Sequence, residues 1–269
     1  SSRMEQYGRN YSSVMELFAL PKLEQLVLRD IYADANGFTN AVGPTYIHKA
    51  PAVVTPTLKL MNIKQFCFNA VLNNQTFSQF KHLVTLSMSL FMNQSLSNRH
   101  NRSWCSGNPN WAGMHVMEKL KNLRLEHDFI DGSLPDHVGL PSTMDKLIID
   151  SHPRLTGTLP VSWFHKESNQ RIKTLIIRET GIGSVIPASL GNLSHLVLLD
   201  LSRNALNGAL PVQSLENIHG LKVLNLAHNS GLSGTLSINI LDKLEYLDLH
   251  GTNIIVDPAF KPSSTMEYL

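Results

Sequence analysis

Leu196-Val-Leu-Leu199-Asp-Leu201-Ser-Arg-Asn204-Ala-Leu206-Asn-Gly208-Ala-Leu210-Pro211 is the clearest copy of a pattern that this 269-residue chain repeats six times from Leu120 onward. Aligned on the apolar residue that precedes the Asn-like position, the copies fall at Leu125, Ile149, Ile177, Leu201, Leu226 and Leu249. The intervals are 24, 28, 24, 25 and 23 residues, a period that marks a stacked solenoid rather than a single compact core. In Leu199-Asp-Leu201 the two leucines are two apart, so on a strand they point to one face. One coil cannot bury them alone; stacking supplies the core and makes the sheet parallel.

Three residues after the second leucine comes Asn204, with Asn229 as its counterpart and Asp128, His152, Thr180 and Thr252 in the other copies. The chain turns inward off the strand there, and a buried amide at that point satisfies backbone groups of neighbouring coils. Thr or His is expected to weaken this ladder without breaking it.

The pattern continues as Asp128-Phe-Ile130-Asp-Gly132-Ser-Leu134-Pro135, Leu155-Thr-Gly157-Thr-Leu159-Pro160, Ile182-Gly-Ser184-Val-Ile186-Pro187 and Leu232-Ser-Gly234-Thr-Leu236-Ser237. This resembles the plant-type leucine-rich repeat of plant receptor-kinase ectodomains and polygalacturonase inhibitors. It is also similar to surface leucine-rich-repeat antigens of kinetoplastid parasites. The resemblance covers about residues 117–256. It implies an α/β-type solenoid, a curved right-handed superhelix with a parallel sheet on the concave face and short helices, 3-10 turns or loops on the convex face. It further implies a non-catalytic recognition module.

The whole chain is expected to form a single leucine-rich repeat domain. Residues 1–19, with Met15-Glu-Leu-Phe18 as a short helix, form an N-terminal cap. Residues 20–116 hold irregular repeats with inserts at 31–59 and 92–113, residues 117–256 hold the regular ones, and 257–269 form a tail or partial cap. Leu26-Val-Leu28, Phe66-Cys-Phe68 and Leu86-Ser-Met88 read as three further strands, making nine in all.

Lys plus Arg number 23 and Asp plus Glu 21, and only 16% of residues are charged, so the basic field that nucleic-acid binders use is missing. No apolar run reaches the length of a membrane span. Five Asn-x-Ser/Thr sites occur, at Asn10, Asn74, Asn93, Asn101 and Asn192, and are candidate glycosylation positions. A bond between the two cysteines, Cys67 and Cys105, would pin the second insert over the early part of the concave face. The alternative is two unpaired thiols in a reducing compartment.

Side chains between and after the inward leucines face out of the concave sheet and stack into columns about 4.8 Å apart. The candidate partner-binding residues are Arg124, Glu126, His127, Ile148, Ile176, Arg178, Glu179, Asp200, Arg203, His228, Tyr246, Asp248 and His250. As a set they make a mixed-charge face with a small apolar patch at Ile148 and Ile176. The competing interpretation is a solvated face whose charges satisfy one another across coils. Asp200, Ser202, His228, Asp248 and His250 invite a hydrolase interpretation, but Asp200 and Ser202 follow the repeat's own Leu-Asp-Leu-Ser habit, and a nucleophile needs an oriented base, an oxyanion site and a sheltered cleft. No catalytic residue, cofactor or metal ligand is expected. The partner is a protein, peptide or glycan met outside the cell or at its surface. An intracellular assembly scaffold and an inhibitor of a wall-degrading enzyme remain the alternatives.

Overall fold

The computed structural model describes residues 3–7, 17, 19–29, 54–64, 80–89, 114, 116–127, 130–165, 171–241, 243–260 and 267–268. They fall in two compact units, Ser1–Asp131 and Gly132–Leu269.

The first unit is a parallel sheet in which β1 (Arg3–Tyr7), β2 (Gln25–Arg29), β3 (Leu60–Lys64), β4 (Thr85–Ser89) and β5 (Asn122–Glu126) pair in sequence order. Register aligns Leu26, Met61, Leu86 and Leu123 in one row and Leu28, Ile63, Met88 and Leu125 in the next, and all eight are buried. Alternation on a strand sends both rows inward together, and each buried aliphatic side chain contributes about 1.5–3 kcal/mol relative to exposure.

One strand is added to the expected set and one is corrected. Residues 3–7, within the segment expected to form the N-terminal cap, pair as a strand, so the sheet begins earlier than the repeat pattern shows. The strand expected around Phe66-Cys67-Phe68 lies five residues earlier, at Leu60–Lys64, and Asn62 rather than Cys67 occupies the outward position beside Val27 and Ser87. Leu58-x-x-Met61-x-Ile63 fits the repeat as well as Ile63-x-x-Phe66-x-Phe68 does. The chosen register spaces Ile63 and Met88 by one ordinary repeat.

In the second unit β7 (Lys146–His152), β9 (Thr174–Thr180), β11 (Leu198–Asp200), β13 (Val223–Asn225), β15 (Tyr246–Asp248) and β17 (Glu267–Tyr268) pair in parallel. Leu147, Leu175, Leu199, Leu224 and Leu247 form one fully buried row, with Ile149, Ile177, Leu201 and Leu226 in the next. The strand at Glu267–Tyr268 extends the sheet into the expected tail. A second parallel sheet joins β10 (Gly183–Ser184), β12 (Ala205–Ala209), β14 (Gly231–Leu236) and β16 (Asn253–Val256), while β6 (Gly132–Ser133) pairs with β8 (Leu155–Thr156). β6, β8, β12 and β14 lie in the Leu-x-Gly-x-Leu parts of the pattern, β10 in its Ile182-Gly-Ser184-Val-Ile186 version, and β16 in Asn253-Ile-Ile-Val256, which lacks the glycine. Among the described residues of this unit helix is scarce: 3-10 turns at Val161–Phe164 and Ala188–Asn192, and α-turns at Val212–Glu216 and Ile238–Leu241. Pro160, Pro187 and Pro211 stand immediately before three of them, where fixed φ values of −67, −69 and −77° turn the chain out of the extended segment.

The expected ladder is present where Asn is present. Asn204 Nδ2 donates to Ile177 O (2.7 Å) and Leu201 O (2.8 Å), while its Oδ1 accepts from Thr180 N (3.0 Å). Asn229 Nδ2 donates to Leu201 O and Leu226 O, both at 2.9 Å, and its Oδ1 accepts from Leu206 N (3.1 Å). Thr252 makes only a local version, donating to Leu249 O at 2.7 Å.

The ladder also redirects one backbone rung. In parallel register the Ser202 amide would donate to Ile177 O, since Leu198 N donates to Lys173 O on the same side. Asn204 already holds that oxygen, and Asp200 Oδ1 accepts the Ser202 amide instead, at 3.0 Å. Asn225 does the same for Ala227 N (3.1 Å) and Asp248 for His250 N (3.0 Å). Side chains thus replace that one rung, while Leu201 N to Asn225 O, Arg203 N to Ala227 O, Leu226 N to Asp248 O and His228 N to His250 O carry backbone bonding on beyond it. Where Ile148 and Ile176 stand at the equivalent position, β7 and β9 run seven residues. Asn62 does not make the exchange: its buried Oδ1 has no hydrogen bond among the described residues.

Candidate functional site

Register converts the predicted columns of the second unit into observed rows. Ile148, Ile176, Asp200, Asn225 and Asp248 form one row; Lys146, Thr174, Leu198, Val223, Tyr246 and Glu267 form the row before it. Ile148 is only 5% exposed, so the expected two-residue apolar patch is not available as such. It sits in register with Ile176 and two residues from the Asp150–Arg178 pair, close enough for neighbouring side chains to cover it. The accessible apolar surface lies one row over. Ile176, Leu198, Val223 and Tyr246 are all half-buried, and Leu198, Val223 and Tyr246 are adjacent across three strands. Leu198 and Val223 are not among the residues expected on this face: each precedes the first inward leucine of its strand, and alternation carried one residue back from Leu199 and Leu224 places them in this row.

The charged residues are mostly engaged with each other. Arg178 Nη2 donates to Asp150 Oδ2 at 2.7 Å and Nη1 lies 3.7 Å from Asp200 Oδ2. Both carboxylates are nearly buried, and the guanidinium pKa is raised, mainly by the Asp150 hydrogen bond and then, against desolvation, by the charges of Asp150, Asp200 and Glu179. Asp200 Oδ1 is also held by Ser202 Oγ at 2.6 Å. That hydroxyl donates to a carboxylate in a buried position, which is not the arrangement of an activated nucleophile. Ser151 Oγ donates to Glu179 Oε2 at 2.8 Å, and Glu179 Oε1 faces Arg203 Nε at 3.6 Å. For this cluster the mutually satisfied interpretation describes the geometry.

Arg203, His228 and His250 differ. All three are exposed, and the rings of His228 and His250 meet edge to face with centroids 5.1 Å apart. Residues 127, 151, 179, 203 and 228 share positive φ, between 52 and 65°, at equivalent points of their repeats, and Gly251 takes the same place with φ 70°. A Cβ on Gly251 would sit 3.3 Å from His228 Nδ1, so glycine there leaves room for the ring.

Arg124 and Glu126 form an ion pair on β5, and His127 follows them at the turn; these three belong to the first unit and the other candidates to the second. Asn192 is exposed at the end of a 3-10 turn, its Nδ2 donating to Phe164 O at 2.9 Å. Cys67, Cys105, Asn10, Asn74, Asn93 and Asn101 lie outside the described residues. Among the described residues no helix is long and apolar enough to cross a membrane.

Residues 170–230 match the sequence model of the leucine rich repeat family. Two Arabidopsis thaliana proteins are similar: Receptor-like kinase TMK2, 30% identical over 95 residues (34% of this chain, 10% of that protein), and Receptor-like protein 34, 33% identical over 99 residues (37% and 10%). The matched region spans about a tenth of the length of these relatives. Among solved structures, a TDR receptor superposes with a TM-score of 0.60 at 19% identity, covering 93% of this chain and 42% of that one. The ectodomain of the Arabidopsis thaliana receptor kinase GASSHO1/SCHENGEN3, solved in complex with CASPARIAN STRIP INTEGRITY FACTOR 2, gives 0.59 at 19% identity and covers 93% and 29%. At that identity the likeness speaks to fold. With the buried leucine rows, the Asn rungs and the second sheet, it gives this chain the fold of a leucine-rich repeat solenoid, and residues 170–230 carry that family's repeat.

Proposed function

We propose that this chain is an extracellular recognition module that takes an extended peptide or protein segment on the outward rows of the second unit's strands. The observation that carries the proposal is the run of half-exposed Leu198, Val223 and Tyr246 on three adjacent strands, with Ile176 diagonal to Leu198. Apolar side chains on a sheet face whose core side is already filled by leucine are surface left for a partner. Tyr246 supplies an aromatic anchor of the kind that dominates binding energy. The relatives' names, a receptor-like kinase and a receptor-like protein, support a receptor role, and an extracellular site fits the exposed Asn192 sequon.

The test is selection of random dodecapeptides displayed on phage against the immobilised chain, with Leu198→Asp and Tyr246→Ala combined as the face variant. Ile255→Asn, on the second sheet, is the control. Peptides enriched on the wild type should bind the control equally and the face variant at least about tenfold less, the loss expected when a buried aromatic contact of ~1.4 kcal/mol or more is removed. Equal retention by the face variant would refute the assignment.

A further inference from the structure

We propose that Arg203, His228 and His250 form a subsite for acidic side chains of the bound peptide, at the margin of the face that carries Leu198, Val223 and Tyr246; this rests on the recognition role proposed above. The three residues come from consecutive coils. Arg203 N donates to Ala227 O and His228 N to His250 O, which places their backbones one coil apart, about 4.8 Å in a sheet. Arg203 and His228 share the left-handed backbone conformation, so their side chains leave the sheet in the same sense.

What distinguishes the cluster is unused donor capacity. The carboxylates around it are already occupied: Asp150 and Asp200 by Arg178, Glu179 by Ser151 and by Arg203 Nε, and Asp248 Oδ1 by the His250 amide. Arg203 contributes only Nε, at 3.6 Å, to Glu179; its two Nη groups and the imidazole nitrogens of His228 and His250 have no hydrogen-bonding partner among the described residues. Gly251 keeps the His228 ring clear of the next coil, and the edge-to-face contact with His250 holds the two imidazoles as a pair. An exposed guanidinium edge with two neighbouring imidazoles matches a carboxylate, which accepts two parallel hydrogen bonds from arginine and a further one from an imidazole N–H. The neighbouring apolar row favours a peptide over a uronate glycan, because it offers Leu198 and Val223 to aliphatic side chains.

The experiment follows the side-chain resonances of His228 and His250 by NMR in the full chain, titrated with the acetylated, amidated hexapeptide Glu-Gly-Glu-Gly-Glu-Gly. The Gln-Gly counterpart and trigalacturonate are the comparison probes. Saturable shifts at His228 and His250 with the Glu peptide, absent with the Gln peptide and absent at His82 and His137, are the expected result. Arg203→Gln should weaken the response by about tenfold, as removal of a charged hydrogen-bond donor does. Equal shifts at all four histidines, or no loss on Arg203→Gln, would overturn the subsite. Tighter binding of trigalacturonate would overturn the peptide assignment. Loss of phage-selected peptides in the face variant with a silent Glu peptide would leave the recognition role standing and remove only this subsite.

Discussion

Asn229→Ala is the most direct probe of what holds the repeats together. Asn229 is fully buried; its Nδ2 serves Leu201 O and Leu226 O and its Oδ1 takes the Leu206 amide. Among the described residues Leu201 O has one other donor, Asn204 Nδ2 at 2.8 Å, whereas Leu226 O has none. Truncation therefore strands two buried backbone groups, Leu226 O and Leu206 N, at about 1–3 kcal/mol each. The expected loss is about 2–6 kcal/mol, with a cavity term adding to the upper end. Asn204→Ala strands Ile177 O and Thr180 N in the same way. Together the two substitutions remove both donors from Leu201 O, so the double variant should be less stable than the sum by a further ~1–3 kcal/mol. Urea denaturation gives the free energies, and hydrogen exchange at the Leu206 amide reports the local rung. Additivity within about 0.5 kcal/mol, or a single-site cost below about 1 kcal/mol, would refute the shared-carbonyl argument.

Three further outcomes follow from other parts of the structure. Ser151, at φ 61°, loses the same hydrogen bonds on replacement by Val or Gly, so Ser151→Val should be the less stable of the two by about 1–2 kcal/mol in thermal unfolding; the reverse order would contradict the left-handed assignment. Gly191→Ala would put a Cβ 2.6 Å from Ser214 O, and a loss of about 1–3 kcal/mol is expected, with an unchanged Tm contradicting the close approach. The Glu216 pKa is lowered from its ordinary 4.5, first by the Ser237 hydroxyl and, against desolvation, by Asn239, Gln213 and Lys243. A depressed carboxylate stabilises above its unfolded pKa and loses that contribution as pH falls through the folded value. The Tm deficit of Ser237→Ala should therefore be full at pH 7 and shrink on acidification below 4.5; a constant deficit would place its origin elsewhere.

The rows that build the core were legible because each copy carries two leucines at a spacing of two, and that spacing survives substitution by Ile or Met. Register is harder where apolar residues are dense: Leu58, Met61, Ile63, Phe66 and Phe68 satisfy the pattern twice, and local sequence does not choose between the two placements. Pairing with Leu26 and Leu86 does. Arg3–Tyr7 and Glu267–Tyr268 were invisible because neither contains the leucine pair; they are strands because a neighbouring strand offers its edge. At the candidate face, Ile176 is legible from alternation and Tyr246 from its residue type. The capture of Asp150 and Asp200 by Arg178 depends on a side chain one coil away, which a single repeat does not encode.

The exchange of a backbone rung for side-chain bonds at Asp200, Asn225 and Asp248 means that one amide per coil answers to a side chain of its own strand. The rungs on either side of it, such as Leu201 N to Asn225 O and Arg203 N to Ala227 O, still tie that coil to the next. Neither Asx nor Ile at that point adds or deletes a residue. A chain of this design can therefore redirect a single backbone donor of one coil by point mutation, keeping the leucine stack and the spacing of every other coil.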